Sequence, residues 1–161
     1  MDKKQLFVKV VKEHQGLILK VAALYTNSSH DREDLSQEIV YQLWRSFDSF
    51  SGQAKISTWM YRISLNTAIK HLKQHKKAIA TVPMDIETLS VPDRSEKDEQ
   101  LIKTLYDNIR LLNLLEKGII MLYLDGKSHE EIAAIIGLSI TNVGTKISRI
   151  REKLKAHIKH K

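Results

Sequence analysis

The segment from Lys127 to Leu154 constrains the fold more than any other part of this chain, because its pattern predicts two helices joined by a tight turn. Ser128 and Glu131 have the spacing of a capping box, which marks the start of a helix. Gly137 stands where a helix end favours a residue that tolerates positive φ, and Ser139 can cap the next helix. The layout is that of a helix-turn-helix, whose second helix enters the major groove of DNA.

The side chains of this segment divide into an apolar and a polar set at helical spacing. The first predicted helix has one apolar face, formed by Ile132, Ala133 and Ile136. The apolar face of the second helix consists of Val143, Ile147, Ile150 and Leu154. Its opposite face is polar or basic and carries Thr141, Asn142, Thr145, Lys146 and Arg149. An ordinary helical hairpin would share the apolar spacing, but the charge of the polar face favours DNA binding.

The composition favours an all-α protein of one or two small domains. The 161 residues include only two prolines and six glycines, and no long alternating β-branched run occurs. The absence of cysteine excludes a disulfide framework and a cysteine-based zinc site. No apolar run approaches the length of a membrane span, and the opening segment MDKKQLFVKVVKEHQG lacks the pattern of a signal peptide. We therefore expect a cytoplasmic protein without membrane insertion.

The distribution of charge predicts a polyanionic partner. The net charge is +7, and the sequence pI is near 9.5. Residues 1–77 carry a net charge of +6 and residues 101–161 carry +5, whereas residues 78–100 carry −4. Basic blocks bind polyanions through counterion release, so nucleic acid is the natural partner. The middle segment holds both prolines and no sustained apolar period, which predicts a flexible acidic linker with helix resuming near Ser95.

The block before the linker predicts three or four helices. A break near Gly16 divides the first apolar stripe, and Asp31 is placed to cap a long helix. The buried side of that helix would carry Leu35, Ile39, Leu43 and Phe47. A second long helix, from about Ser57 to His75, would partly bury Trp59, Ile63, Ile69 and Leu72. After the linker, a single helix that ends at Asp125-Gly126 would pack behind the helix-turn-helix.

No catalytic constellation is readable. Gly126-Lys127-Ser128 lacks the earlier glycine of a phosphate-binding loop, and His129-Glu130 lacks the second histidine of a zinc-protease helix. We therefore expect no enzyme activity, no cofactor and no metal site.

Two blocks resemble a known family. DREDLSQEIVYQLWRSFDSF, followed by ISTWMYRISLNTAIKHLKQHKK, closely resembles region 2 of bacterial RNA polymerase sigma factors. KSHEEIAAIIGLSITNVGTKISRIREKL resembles their region 4. The order, the lengths and the acidic linker are similar to the small extracytoplasmic-function (ECF) class of the sigma-70 family. The resemblance implies an all-α protein of two small helical domains, a region 2 helical bundle at 1–77 and a region 4 helix-turn-helix at 101–161, joined by a flexible acidic linker at 78–100.

The resemblance implies a transcription initiation factor that binds core RNA polymerase, recognises the −10 and −35 promoter elements and assists promoter melting. Asp34, Gln37 and Glu38 match the segment that docks on the coiled coil of the polymerase β′ subunit. The β subunit and promoter DNA are the other implied partners. An anti-sigma factor is a further candidate partner, since many relatives have one.

For the −10 element, the resemblance implies that a loop and an asparagine surround a flipped base. The residues assigned to this element are Ser51, Gly52, Gln53, Ala54, Lys55, Trp59, Arg62, Asn66 and Lys70. Trp59-Met60 stands where housekeeping members have a Trp-Trp pair, and Trp59 can serve either at the melted junction or in the core. The same basic helix would carry four further residues beside the DNA, namely Tyr61, Lys73, Lys76 and Lys77.

For the −35 element, the resemblance implies contacts from Thr141, Asn142, Thr145, Lys146 and Arg149. Asn and Arg can make bidentate base contacts, whereas Lys and Thr serve bases or phosphates. Gly144 departs from the family, because many relatives carry a long basic residue there; either a base contact is missing or the backbone approaches DNA more closely. Phosphate or solvent contacts are expected for Arg151, Lys153, Lys155 and Lys159.

Two other functions stay open on the sequence. A stand-alone helix-turn-helix regulator would bind duplex DNA without polymerase, which a gel-shift comparison with and without core enzyme would reveal. A small α-helical enzyme is the second, and the absence of paired catalytic groups counts against it.

Overall fold

The computed structural model describes residues 1–75 and 95–159, and every regular element within these ranges is helical. The described residues fall into two compact units, one on each side of the undescribed segment. The first unit contains α1 (Lys3–Glu13), α2 (Gln15–Leu24), α3 (Ser29–Ser46), a 3₁₀ turn (Phe47–Ser49) and α4 (Ile56–His75). The second unit contains α5 (Glu96–Ile109), α6 (Leu114–Leu124), α7 (His129–Ile136) and α8 (Ile140–Lys159). The all-α prediction is confirmed for these residues.

The helices of the first unit begin at polar caps. Asp2 and Gln5 form a reciprocal capping box at the start of α1. The predicted cap of α3, Asp31, is wrong: Ser28 is the N-cap, and its Oγ accepts the backbone N–H of Asp31 at 3.1 Å. Ser fits this position because its short hydroxyl reaches the free N–H groups of the first turn. The break between α1 and α2 lies at His14, so Gly16 is inside α2 rather than between the helices.

The core of the first unit lies where α2, α3 and α4 pack together. The predicted α3 positions Leu35, Ile39 and Leu43 are each 0% exposed. On α4 the predicted partial burial of Ile63, Ile69 and Leu72 is confirmed, since all three are half-buried. The most deeply buried α4 side chains are others that the pattern did not single out, namely Met60, Tyr61, Ser64, Leu65 and Ala68. Apolar residues occur all around α4, so its packing against α2 and α3 selects the buried face. Tyr61 therefore does not face DNA as predicted.

The second unit contains two helices where the sequence predicts one before the helix-turn-helix. Arg110 to Leu112 form a turn between α5 and α6, and Asn113 caps α6. Asn113 Oδ1 accepts the Glu116 N–H at 2.8 Å, and Glu116 Oε1 accepts the Asn113 N–H at 3.1 Å. This capping box is readable in the sequence as Asn followed three residues later by Glu. The apolar run across it conceals the break, because both helices bury leucine and isoleucine.

The helix-turn-helix prediction is confirmed in its caps and core. Ser128 and Glu131 form the capping box of α7, and Gly137 ends that helix with φ 86°. Ser139 Oγ accepts the Asn142 N–H at 3.1 Å at the start of α8. The predicted α8 positions are all buried, namely Val143, Ile147, Ile150 and Leu154. On α7, however, Ile135 is buried and Ile136 is only half-buried.

The domain boundaries remain predictions. Residues 76–94 lie outside the described residues. They contain most of the predicted linker as well as Lys76 and Lys77, which were predicted to lie beside DNA. Ser95 caps α5 by accepting the Asp98 N–H at 3.2 Å, which confirms that helix begins there. The predicted start of the second domain at residue 101 falls inside α5.

Substituting two glycines of the helix-turn-helix by alanine should change stability in opposite directions. Gly144 lies inside α8, and an added Cβ would be 3.6 Å from the His129 ring, an ordinary contact. Gly144→Ala should therefore raise the free energy of unfolding of the second unit by about 0.5–1 kcal/mol. Gly137 has φ +86°, so Gly137→Ala should lower it by about 1–2 kcal/mol. Urea unfolding followed by far-UV circular dichroism measures both, and changes of the same sign would contradict these backbone conformations.

Candidate nucleic-acid interface

The outward side of α8 carries the predicted −35 residues together. Thr141, Asn142, Thr145 and Arg149 are exposed, and Lys146 is half-buried. The apolar side of α8 packs on α5, α6 and α7, so these polar residues form the free face of the helix. Asn142, Lys146 and Arg149 are spaced by four and three residues, which places them along one edge of that face. The arrangement offers an amide, two cations and two hydroxyls to a groove of DNA.

A carboxylate that the sequence analysis did not assign lies at this edge. Lys153 continues the line of Asn142, Lys146 and Arg149, and its Nζ donates to Glu116 Oε2 at 2.7 Å. Burial raises the pKa of the Glu116 carboxyl, but hydrogen bonds from Lys153 and from the Asn113 N–H, together with nearby positive charge, bring it below its usual value. The positive charges of Lys153 and Lys146 add to that lowering. Glu116 is therefore ionised at neutral pH and faces the basic edge of α8.

His129 lies against the opposite edge of α8. A Cβ built on Gly144 would be 3.6 Å from Nδ1 and 3.7 Å from Cε1 of the His129 ring. The imidazole, on the first residue of α7, therefore occupies space beside Gly144 that a larger residue on α8 would contact. Neither feature is visible in the sequence, because His129 and Gly144 are brought together only by the packing of α7 on α8.

The second unit also contains a buried cation among its described residues. Lys117, on α6, is 1% exposed. Burial, followed by the positive charge of Arg110, lowers the pKa of the Lys117 ammonium. Because Lys117 belongs to the interior, it adds no contact to the outward face of α8.

In the first unit, a chain of aromatic rings supports the predicted −10 loop. Phe7 contacts Trp44 and Phe47 at centroid distances of 5.1 and 5.2 Å. Trp59 contacts Phe47 at 6.1 Å and Phe50 at 5.3 Å. Trp59 is 9% exposed, so the geometry favours the core role that the sequence left open. Its ring anchors Phe50, the residue immediately before the loop.

The predicted −10 loop presents only small or polar side chains. Ser51 to Lys55 are all exposed, and Gly52 has φ 79°. A positive φ suits glycine because it has no Cβ to clash with the backbone. The loop is therefore a tight polar rim that begins at the aromatic anchor and ends at α4.

The remaining −10 residues lie along one side of α4. Arg62, Asn66 and Lys70 are exposed and spaced by four residues, so they follow one another along the helix surface. Asn66 and Lys70 line a polar groove of about 390 Å³ between α3 and α4. The other lining residues are Glu38, Gln42, Ile63, Thr67, His71 and Gln74. The lining of this groove includes Asn66 but none of the loop residues 51–55.

The predicted polymerase-docking residues share one side of α3. Asp34, Gln37 and Glu38 are three and four residues apart, and Asp34 and Gln37 are exposed. Asp34 Oδ2 is 3.4 Å from Nε2 of His30. Glu38 Oε1 accepts a hydrogen bond from Nε2 of Gln42 at 3.0 Å. Tyr41, a residue without a predicted role, is 53% exposed on the next turn. Tyrosine is enriched among the residues that contribute most to binding at protein interfaces.

Two absences hold for the part of the chain that the structure describes. None of its helices combines the length with the apolar character that a membrane span requires. No group of three or more His, Asp or Glu side chains that could hold a metal ion occurs there either.

Two family models match the chain, one on each unit. The Sigma-70 region 2 model matches residues 10–78, and the Sigma-70, region 4 model matches residues 105–154. Two relatives are the ECF RNA polymerase sigma-E factors of Haemophilus influenzae and Escherichia coli strain K12, each 30% identical to this chain. The alignments cover 96% and 95% of this chain, and 88% and 86% of those proteins.

The chain belongs to the ECF sigma factors of the sigma-70 family.

Solved structures show the same fold. CnrH, in complex with the cytosolic domain of CnrY, has a TM-score of 0.70 and 22% identity over 98% of this ECF sigma factor and 90% of that chain. The sigma factor RpoE from Bartonella quintana, in complex with the anti-sigma factor NepR, has a TM-score of 0.73 and 19% identity. That match covers 95% of this chain and 96% of the other.

Family membership makes this ECF sigma factor a transcription initiation factor that acts with core RNA polymerase on promoter DNA. A stand-alone helix-turn-helix regulator would have no reason to contain a sigma region 2. Because the region 2 model matches residues 10–78, in the first unit, the regulator alternative is disfavoured.

The burial of Trp59 predicts a stability effect in the first unit. Trp59→Ala should lower the free energy of unfolding by about 3–5 kcal/mol, because it removes ring contacts with Phe47 and Phe50. Trp59→Phe should cost less, since a smaller ring keeps part of the contact. Trp44 is the one other tryptophan of the sequence, so its fluorescence during urea unfolding reports on this unit alone in both variants.

The control for Trp59→Ala is Tyr41→Ala, which removes an exposed ring from the same unit. It should change the unfolding free energy by no more than about 0.5 kcal/mol. Similar losses for the two alanine variants would contradict a core role for Trp59.

Proposed function

We propose that the two units of this ECF sigma factor divide promoter recognition between them. The second unit reads the duplex −35 element with the outward face of α8. The first unit binds core polymerase through α3 and contacts the melted −10 strand through the loop 51–55 and α4. The observation that carries the proposal is the free face of α8, where Thr141, Asn142 and Arg149 are exposed above a fully buried apolar stripe.

For the −35 element, side-chain chemistry divides the contacts. Asn142 and Arg149 have planar groups that can make bidentate contacts with adenine and guanine edges in the major groove. Thr141, Thr145 and Lys146 can serve bases or phosphates. Asn142 lies in the first turn of α8, and the first residues of a recognition helix are those that reach base edges. His129, beside Gly144, supplies an imidazole to the same surface.

For the −10 element, the proposal uses a rim and a helix side. Ser51 to Lys55 offer hydroxyl, amide and ammonium groups, which can contact the free edge of an unstacked base. Arg62 and Lys70 follow the strand as cations, and Asn66 adds an amide. Trp59 acts by holding Phe50 and thereby the start of the loop.

For polymerase docking, α3 offers carboxylates and an amide to a basic partner. Asp34, Gln37 and Glu38 would contact the β′ coiled coil, and Tyr41 would extend that contact by one turn. Each unit alone has modest DNA affinity, but attachment to one polymerase makes the second DNA contact effectively intramolecular. The linker length then sets which spacing of promoter elements is accepted.

RNA synthesis belongs to the polymerase in this proposal, so the factor itself performs no covalent chemistry. Its site of action is the cytoplasm, where polymerase and promoter DNA meet. An anti-sigma factor is a candidate regulator, since the Bartonella relative is solved in complex with one.

Run-off transcription from a promoter library with core polymerase tests the whole proposal. If no promoter gives a start-site-specific product, the proposal is rejected.

Reversing charge on α3 should weaken polymerase binding. Asp34→Lys combined with Glu38→Lys should lower the affinity for core polymerase at least about tenfold, because lysines would face a basic partner. Fluorescence anisotropy of the labelled chain titrated with core enzyme measures the affinity. The matched control, Glu13→Lys with Asp48→Lys, makes the same charge change at exposed positions of the unit outside α3. Equal affinity loss in the two double variants would remove the docking role.

Removing the Asn142 amide should alter sequence preference. Asn142→Ala should cost roughly 1–3 kcal/mol at one base pair of the −35 element, because one base edge loses its partner. Holoenzyme binding to promoters that vary one upstream pair at a time measures this. Lys155→Ala is the comparison and should weaken binding evenly across sequences, as a phosphate contact does. A uniform loss for Asn142→Ala would mean that it contacts phosphate.

A further inference from the structure

The Glu116 carboxylate is fixed in place by its own helix. Glu116 is the third residue of α6, and its Oε1 accepts the backbone N–H of the N-cap Asn113 at 3.1 Å. Its side chain is 13% exposed, whereas that of Lys153 is 52% exposed. The carboxylate is therefore held by a second hydrogen bond within α6, whereas the lysine side chain is the more exposed partner of the pair.

The bound lysine lies at the end of the proposed DNA-reading edge of α8. Asn142, Lys146, Arg149 and Lys153 are spaced by four, three and four residues, so they share one edge of the helix. Lys153 lies about 16 Å along the axis from Asn142. When the first turn of a recognition helix reaches base edges, a cation this far along is placed towards the sugar–phosphate backbone.

An internal carboxylate at this position opposes DNA binding in two ways. Glu116 Oε2, 2.7 Å from Lys153 Nζ, occupies the ammonium that a phosphate oxygen would otherwise bind. It also places a negative charge beside the lysine, where an approaching phosphate would be repelled. Lys153 therefore contributes less to the electrostatic attraction of DNA than its exposure suggests.

We infer that Glu116 limits the affinity of the second unit for duplex DNA by holding Lys153 in an internal ion pair. The inference rests on the proposed function, because it requires that α8 bind DNA. It makes Glu116 a positioning residue that acts through Lys153, in addition to its role as a cap of α6. The consequence is a sigma factor whose own affinity for DNA is kept low.

Glu116→Gln separates the charge from the cap. Glutamine can still accept the Asn113 N–H, as it does in capping boxes, but it carries no charge. The measurement is fluorescence anisotropy of the full chain on a mixed-sequence duplex, between about 50 and 200 mM KCl. A freed Lys153 that gains one phosphate contact should steepen the slope of log K against log salt by about 0.9. Affinity should rise severalfold at the lowest salt, and the melting temperature should stay within about 2 °C of wild type.

Two controls connect the effect to this pair. Glu13→Gln removes one negative charge from α1 and should leave the slope unchanged, which excludes a general effect of net charge. In a Lys153→Gln background, Glu116→Gln should lose most of its gain, because no lysine is left to be freed. A gain of equal size in both backgrounds, or an unchanged slope in the single variant, would overturn the inference.

Arg149→Ala distinguishes failure of the inference from failure of the proposed function. If Arg149→Ala weakens duplex binding while Glu116→Gln changes nothing, α8 binds DNA and only the role of Glu116 is wrong. If Arg149→Ala and Asn142→Ala both leave duplex binding unchanged, α8 is not the DNA-binding element. Both the proposed function and the inference would then be rejected.

Discussion

Burial of one apolar stripe on α8 is the constraint on which the second unit depends. Val143, Ile147, Ile150 and Leu154 are at most 7% exposed and pack on α5, α6 and α7. Each such side chain stabilises the fold by about 1.5–3 kcal/mol when it leaves water, so the helix cannot rotate without a large loss. The rotation of α8 about its axis therefore determines which side chains point outward. The face proposed to read DNA is therefore a consequence of the core beneath it.

In the first unit, packed aromatic rings determine the position of the predicted −10 loop. Phe7, Phe47, Trp59 and Phe50 form a continuous chain of ring contacts from α1 to the start of the polar loop. Lys3 adds a cation over the Trp44 ring at 4.4 Å and an ion pair with Asp48 at 2.8 Å. A loop of small polar residues has few contacts of its own, so the rings at its first residue define where it begins. Ordering the start of the loop in advance would lower the entropic cost of the strand contact proposed for it.

Two of the positive charges of the second unit are not freely available to a partner. Lys153 is paired with a carboxylate, and Lys117 is buried. The net charge of residues 101–161 therefore overstates the positive surface that is available to DNA. In the proposed arrangement modest intrinsic affinity is sufficient, because attachment of both units to one polymerase makes the second DNA contact effectively intramolecular.

The sequence by itself determined the elements whose signals are local. The capping boxes, the positive φ of Gly137 and the apolar spacing of α8 depend on residues within one or two turns of each other, and all are readable in order along the chain. The same holds for the family, because its motifs are contiguous. The break before α6 was also locally encoded at Asn113 and Glu116, but a continuous apolar run across it masked the signal.

Only the tertiary structure decided which residues meet across helices. α4 has apolar residues on several sides, and its packing on α2 and α3 buried Tyr61 and Leu65 while leaving Ile63 half-exposed. The sequence is compatible with Trp59 in the core or at a DNA contact, and only its packing against the rings of Phe47 and Phe50 favours the core. Glu116 and Lys153 are 37 residues apart, and His129 and Gly144 lie on different helices. No local pattern specifies such pairs, since their distances depend on how separate helices pack.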